Sequence, residues 1–84
     1  MNIRDALAEL DGELLFMDPR KFDAAIMGYI ERAGGEPAVC YNKDKVLAIL
    51  MEDGMDWEEA EEYYYFNIVG AYMGEKTPVF LEVI

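Results

Sequence analysis

The side chains that could carry covalent chemistry are few. The chain has no histidine, which removes the usual general base, the usual proton shuttle and the commonest transition-metal ligand together. It has no serine, and its one threonine, Thr77, stands before Pro78 with no base to activate it. Cys40 is the single cysteine, and its neighbours are Ala38, Val39 and Tyr41. A reactive thiol needs an electropositive setting, so a buried structural thiol is favoured over a lone nucleophile. One cysteine cannot assemble a zinc site. Glu52-Asp53-Gly54-Met55-Asp56 comes nearest to a loop of oxygen ligands, but it lacks the alternating acids and terminal Glu of a calcium-binding hand. Gly34-Gly35 fits no phosphate-cradling pattern, so nucleotide binding has no motif behind it. These residues predict a protein that is not an enzyme, needs no metal or cofactor, and acts by contact.

The contact chemistry is concentrated. Between Lys45 and Lys76 there is no basic residue, while Glu52, Asp53, Asp56, Glu58, Glu59, Glu61, Glu62 and Glu75 all fall inside. An ordinary solvated helix face is the favoured reading; the sharper one is an acidic surface that docks on a basic groove, as a mimic of nucleic acid would. Tyr63-Tyr64-Tyr65-Phe66-Asn67 follows, and at about 100° per residue consecutive aromatics cannot all face one core. With Trp57, Ala60, Tyr64, Ile68 and Ala71 on one stripe, Tyr63 and Phe66 lie to one side, and Tyr65 and Tyr72 to the other. The candidate contacts are therefore Trp57, Tyr63, Tyr65 and Tyr72, rimmed by Glu58, Glu59, Glu61 and Glu62. Asn67 reads as a structural clasp to a neighbouring loop, or else as a ligand contact. Gly70, Ala71 and Gly74 lower helix propensity and permit close approach by another backbone.

Positioning these residues falls to a short series of elements. Ile3, Leu7 and Leu10 have helical spacing and make a short helix or a frayed arm. Glu13 to Met17 is an apolar run between turn residues, which suits a buried strand. Asp18-Pro19 has the form of a helix start, and Phe22, Ile26, Tyr29, Ile30 and Ala33 then recur as one apolar stripe ending at Gly34-Gly35. Pro37 to Tyr41 reads as a second strand, joined to the first by a parallel crossover. Asn42 or Asp44 caps a helix through Met51; a hairpin over the same residues is the alternative. Asp56 opens the longest helix, with Glu59 completing a capping box, and that helix runs to about Met73 before Gly74 closes it. Thr77-Pro78 forbids continuation and Val79 to Val83 forms a final strand. The predicted class is α/β in the α+β sense: a small three-stranded sheet with helices packed on it, in the order β-α-β-α-α-β after a short N-terminal segment.

Size and composition bound the rest. At 84 residues there is room for one domain, 1–84, and 54% of residues are apolar. A body this small cannot bury them all, so exposed aromatics forming an interface and an aromatic-rich core are equally good readings. The net charge of −11 disfavours direct nucleic-acid or membrane contact and points to a basic protein surface or to homo-oligomerisation. One cysteine, no basic-then-apolar leader and no apolar run near the roughly 20 residues of a membrane span make the cytoplasm the expected location.

Several segments then carry a resemblance. Asp53-Gly54-Met55, Glu58-Glu59-Ala60, Glu62-Tyr63, Phe66-Asn67, Gly70-Ala71-Tyr72, Gly74-Glu75 and Thr77-Pro78-Val79-Phe80 resemble the C-terminal signature of a family of small bacteriophage and prophage proteins. Leu14 to Asp18, Phe22 to Ile26 and Glu36-Pro37 are similar to the same family upstream, so the likeness covers nearly the whole chain. Tyr65 departs from the pattern, where the family often has an acid. The resemblance implies a phage origin and a host-cytoplasm location, and it brings no catalytic residues. The function expected is binding of a protein partner with self-association. The alternatives are an acidic inhibitor of a host defence or nucleic-acid-binding protein, and a small-ligand or nucleotide-binding module.

Overall fold

The computed structural model describes residues 2–71, 74 and 76–84. Along the chain run helix α1 (Ile3–Leu10), a 3-10 helical turn (Arg20–Ala25), strand β1 (Ile26–Ile30), strand β2 (Ala38–Asn42), helix α2 (Lys43–Glu52), helix α3 (Trp57–Tyr63), a π-helical continuation (Tyr64–Val69) and strand β3 (Val79–Leu81). The class is α+β, with helices packed on a three-stranded sheet in the order β1-β2-β3. No helix among the described residues is long and apolar enough to cross a membrane.

The middle strand organises the core. Ala38, Val39 and Tyr41 of β2 are fully buried, and Val46, Leu47 and Leu50 of α2 pack over them with Ala60 and Tyr64. β2 pairs antiparallel with β1 and parallel with β3, where Cys40, Tyr41 and Asn42 lie opposite Val79, Phe80 and Leu81. The parallel crossover expected between the first two strands belongs instead to β2 and β3, and α2, α3 and the π-helical stretch form its connection. That length is what a parallel link needs.

Two elements differ from expectation. The helix predicted from Pro19 to Ala33 is a 3-10 turn followed by β1, and Gly34, at φ 73°, turns a hairpin rather than ending a helix. Phe22, Ile26 and Tyr29 still reach the core while Ala33 is exposed, so the apolar stripe identified part of the inward set and mistook the backbone carrying it. Pairing with β2 outweighs local helical spacing here: Ile26, Tyr29 and Ile30 suit a strand, and Gly28, at φ 153°, sits beside the irregularity between Ile26 and Gly28 that a bulge introduces. Asp18 therefore starts no α-helix, and the bond between Asp18 and Pro19 is cis. The second difference is Glu13 to Met17, which joins no sheet. Leu14 and Met17 are buried all the same, and the Met17 amide donates to the Tyr41 hydroxyl at 2.8 Å, a side-chain substitute for a missing strand partner.

Capping sets the remaining helices as expected. Asn42 Oδ1 accepts from the Lys45 amide at 3.0 Å and starts α2, which makes this segment a helix rather than a hairpin. Gly54, at φ 107°, makes the turn after it. Asp56 Oδ1 accepts from the Glu59 amide at 2.9 Å while Glu59 Oε1 accepts from the Asp56 amide at 3.3 Å, the reciprocal pair that opens α3. Replacing Asp56 by Ala should lower stability by about 1 kcal/mol, seen as a fall in Tm of about 4–8 °C for a domain of this size. An unchanged melting curve by circular dichroism would show that α3 is held by packing alone.

Candidate interaction site

α3 is anchored from inside and open outside. Ala60 and Tyr64 face the core, with Tyr64 edge-on to Phe80 at 5.5 Å between ring centres. One turn away, Phe66 is 77% exposed, the highest value for any aromatic among the described residues, and Trp57, Tyr63 and Tyr65 are about half exposed. Glu58, Glu59 and Glu62 are exposed as well, with Glu61 half-buried. A shallow depression of about 450 Å³ lies between Glu59, Glu62, Tyr63 and Phe66, with Met55 and Asn67 completing its walls. Of the sequence-derived contacts, it therefore collects Glu59, Glu62 and Tyr63 and leaves Trp57, Glu58, Glu61 and Tyr65 outside. Tyr72 lies outside the described residues.

Met55, Tyr63 and Asn67 are also walls of a deeper cleft of about 360 Å³. Leu50, Phe22, Ile68 and Phe80 line it with apolar surface, and Asp18, Lys21, Asp53 and Thr77 stand around it. Asn67 is thus an exposed groove residue rather than a buried clasp. Gly70 ends the π-helical stretch at φ −75°, and a Cβ there would lie 3.2 Å from the Tyr65 carbonyl oxygen of its own helix, so its smallness serves the local turn. Gly74, expected to close the helix, stands after Gly70 has done so, at φ 109°.

The electrostatics of this face come from where the cations are spent. Arg4 and Arg20 pair with Asp23, Lys21 with Asp53, Lys43 with Glu82, and Lys76 with Asp11, Glu13 and Glu36. None of these carboxylates belongs to α3. Glu58, Glu59, Glu61 and Glu62 have no ion-pair partner among the described residues, so the negative field of α3 is uncompensated by the protein itself.

Lys43 was beyond sequence reasoning, because its partners lie far along the chain. Its ammonium donates to the Tyr65 hydroxyl and to Glu82 Oε1, both at 2.9 Å, and stands 5.1 Å from the Tyr65 ring centre and 5.6 Å from that of Tyr64. The hydrogen bond to Tyr65, then that to Glu82, raises the Lys43 pKa above its ordinary value. Tyr65 is accordingly half exposed but committed through its hydroxyl, which removes it from the free contact set. Phe66 and Met55 were missed too, although Phe66 at three residues from Tyr63 shares its helix side.

Burial pushes the Cys40 thiol up, away from the thiolate, and among the described residues no group of three or more Cys, Asp or Glu is placed to hold a metal ion. No family model matches the chain, and neither the curated proteins nor the solved structures contain a match.

Proposed function

We propose that the chain is a non-enzymatic binding protein that docks the outer face of α3 onto a basic protein surface. The observation carrying this reading is Phe66, 77% exposed on the same depression that Glu59 and Glu62 line. Carboxylates alone are content in water, whereas covering a phenylalanine ring is worth about 1.5–3 kcal/mol. An apolar ring with an acidic rim matches an interface anchor with its polar surround. The resemblance to small phage proteins supports a partner in the host cytoplasm, and a host protein whose own basic cleft handles nucleic acid has the complementary charge.

Affinity capture from host lysate tests this with the wild type beside a variant carrying Glu58, Glu59, Glu61 and Glu62→Lys. Basic proteins should be retained by the wild type, released by salt, and lost in the variant. Retention that survives the four reversals would defeat the reading.

Self-association has one specific observation behind it. Among the described residues β3 pairs only with β2, and Leu81 at its end and Val83 just after it are exposed, the kind of edge that invites a second strand. Light scattering at low micromolar concentration should then report a homodimer, and a strict monomer would exclude it.

A further inference from the structure

We infer that the cleft and the depression beside Phe66 form one groove that takes an extended, basic peptide segment carrying a central apolar side chain. The inference rests on the docking reading and names the chemistry of its partner. Its first ground is continuity: Met55, Tyr63 and Asn67 wall both hollows, so a chain lying over Glu59 and Glu62 can send a side chain past them into the deeper one. The second is the floor, where Phe22, Leu50, Ile68 and Phe80 offer apolar surface. The third is charge. Glu59 and Glu62 border one hollow, while Asp18 and Asp53 border the other. Lys21, the one cation among the described lining residues of the two, is already paired with Asp53, which leaves Asp18 as the open carboxylate of the deeper hollow. An arginine-rich segment would meet carboxylates at both hollows, and an acidic one would be repelled at both.

Eight extended residues span at most about 26–29 Å, comparable with the 29 Å intermediate dimension of the molecule. The probe is therefore the fluorescein-labelled peptide Arg-Arg-Gly-Leu-Phe-Gly-Arg-Arg. Two controls accompany it: one with Gly-Gly for Leu-Phe, and one with Asp for every Arg. Fluorescence anisotropy should show the first binding at least about 10-fold more tightly than either control, the loss expected when one apolar anchor or the charge match is removed. Ala71→Trp, at an exposed position that lines the cleft and not the depression, should erase the advantage of Leu-Phe and leave the Gly-Gly control unchanged. The pair Glu59→Lys and Glu62→Lys should weaken both basic peptides.

A measurement on the unaltered chain stands beside the variants. The methyl signal of Met17, which lines the cleft and not the depression, should shift with the Leu-Phe peptide and not with Gly-Gly. If the two basic peptides bind alike and the Met17 methyl stays put, the cleft takes no side chain and this inference falls, while docking on α3 stands. If the acidic peptide binds as well as the basic ones, or the charge reversals change nothing, both fall.

Discussion

Tyr41→Ala should leave the protein largely unfolded at room temperature. Tyr41 has no exposed surface, its ring centre lies 5.8 Å from that of Phe80, and its hydroxyl accepts from the Met17 amide. Truncating a buried aromatic to alanine costs about 3–5 kcal/mol, and stranding the Met17 amide adds about 1–3 kcal/mol. Small domains hold only about 5–15 kcal/mol in total. Tyr41→Phe separates the two contributions, because it keeps the ring and removes only the acceptor. Its urea midpoint should fall by an amount worth about 1–3 kcal/mol, and a midpoint equal to wild type would show that Met17 does not depend on this hydroxyl.

The second large effect is alkaline. Burial pushes the Tyr64 phenol up to about 12, and burial also raises Tyr41 above its ordinary 10.0. Lys43 is raised from 10.5 through Tyr65 and Glu82, and Lys76 from the same value chiefly through its hydrogen bond to Asp11. In every case the folded protein keeps a proton that the unfolded chain has released. These contributions are whole below about pH 10 and are lost as pH climbs through the folded-state values. The urea midpoint should therefore fall steadily from pH 9 to pH 11.5. Tyr64→Phe and Lys43→Met should each flatten this decline, and a midpoint constant from pH 9 to 12 would contradict it. Asp11 acts in the opposite sense. Its carboxyl is held below its ordinary 3.8 by Lys76, so its share is present above that pH and disappears only as acid carries it through the lower folded value.

What could be read from the residues depended on how local the physics was. Asn42 and Asp56 announce helices because a cap is completed within three residues, and both do so in the structure. The strand at Ala38 to Asn42 was legible for a similar reason, as a short apolar run between Pro37 and a capping residue. The segment after Pro19 was misread because its apolar spacing satisfies a helix, while its actual form depends on pairing with a strand beyond the Gly34 turn. Glu13 to Met17 looked like a strand because it is buried, and burial alone does not specify a ladder. At the interaction face the acids were plain in the sequence. The groove was not, since its walls come from Asp18, Leu50, Met55, Asn67 and Phe80, which only the fold brings together.

The π-helical stretch from Tyr64 to Val69 has a further consequence for how this chain can change over generations. Bonding from each residue to the fifth along accommodates one more residue than a regular coil would in the same rise. Losing a single codon there would let ordinary four-residue bonding resume within the same rise, so that the segment leading on to β3 keeps its place beside β2. The exposed hairpin tip around Gly34 absorbs insertions and losses as well, so the chain has two places where its length can change by one residue without disturbing the sheet.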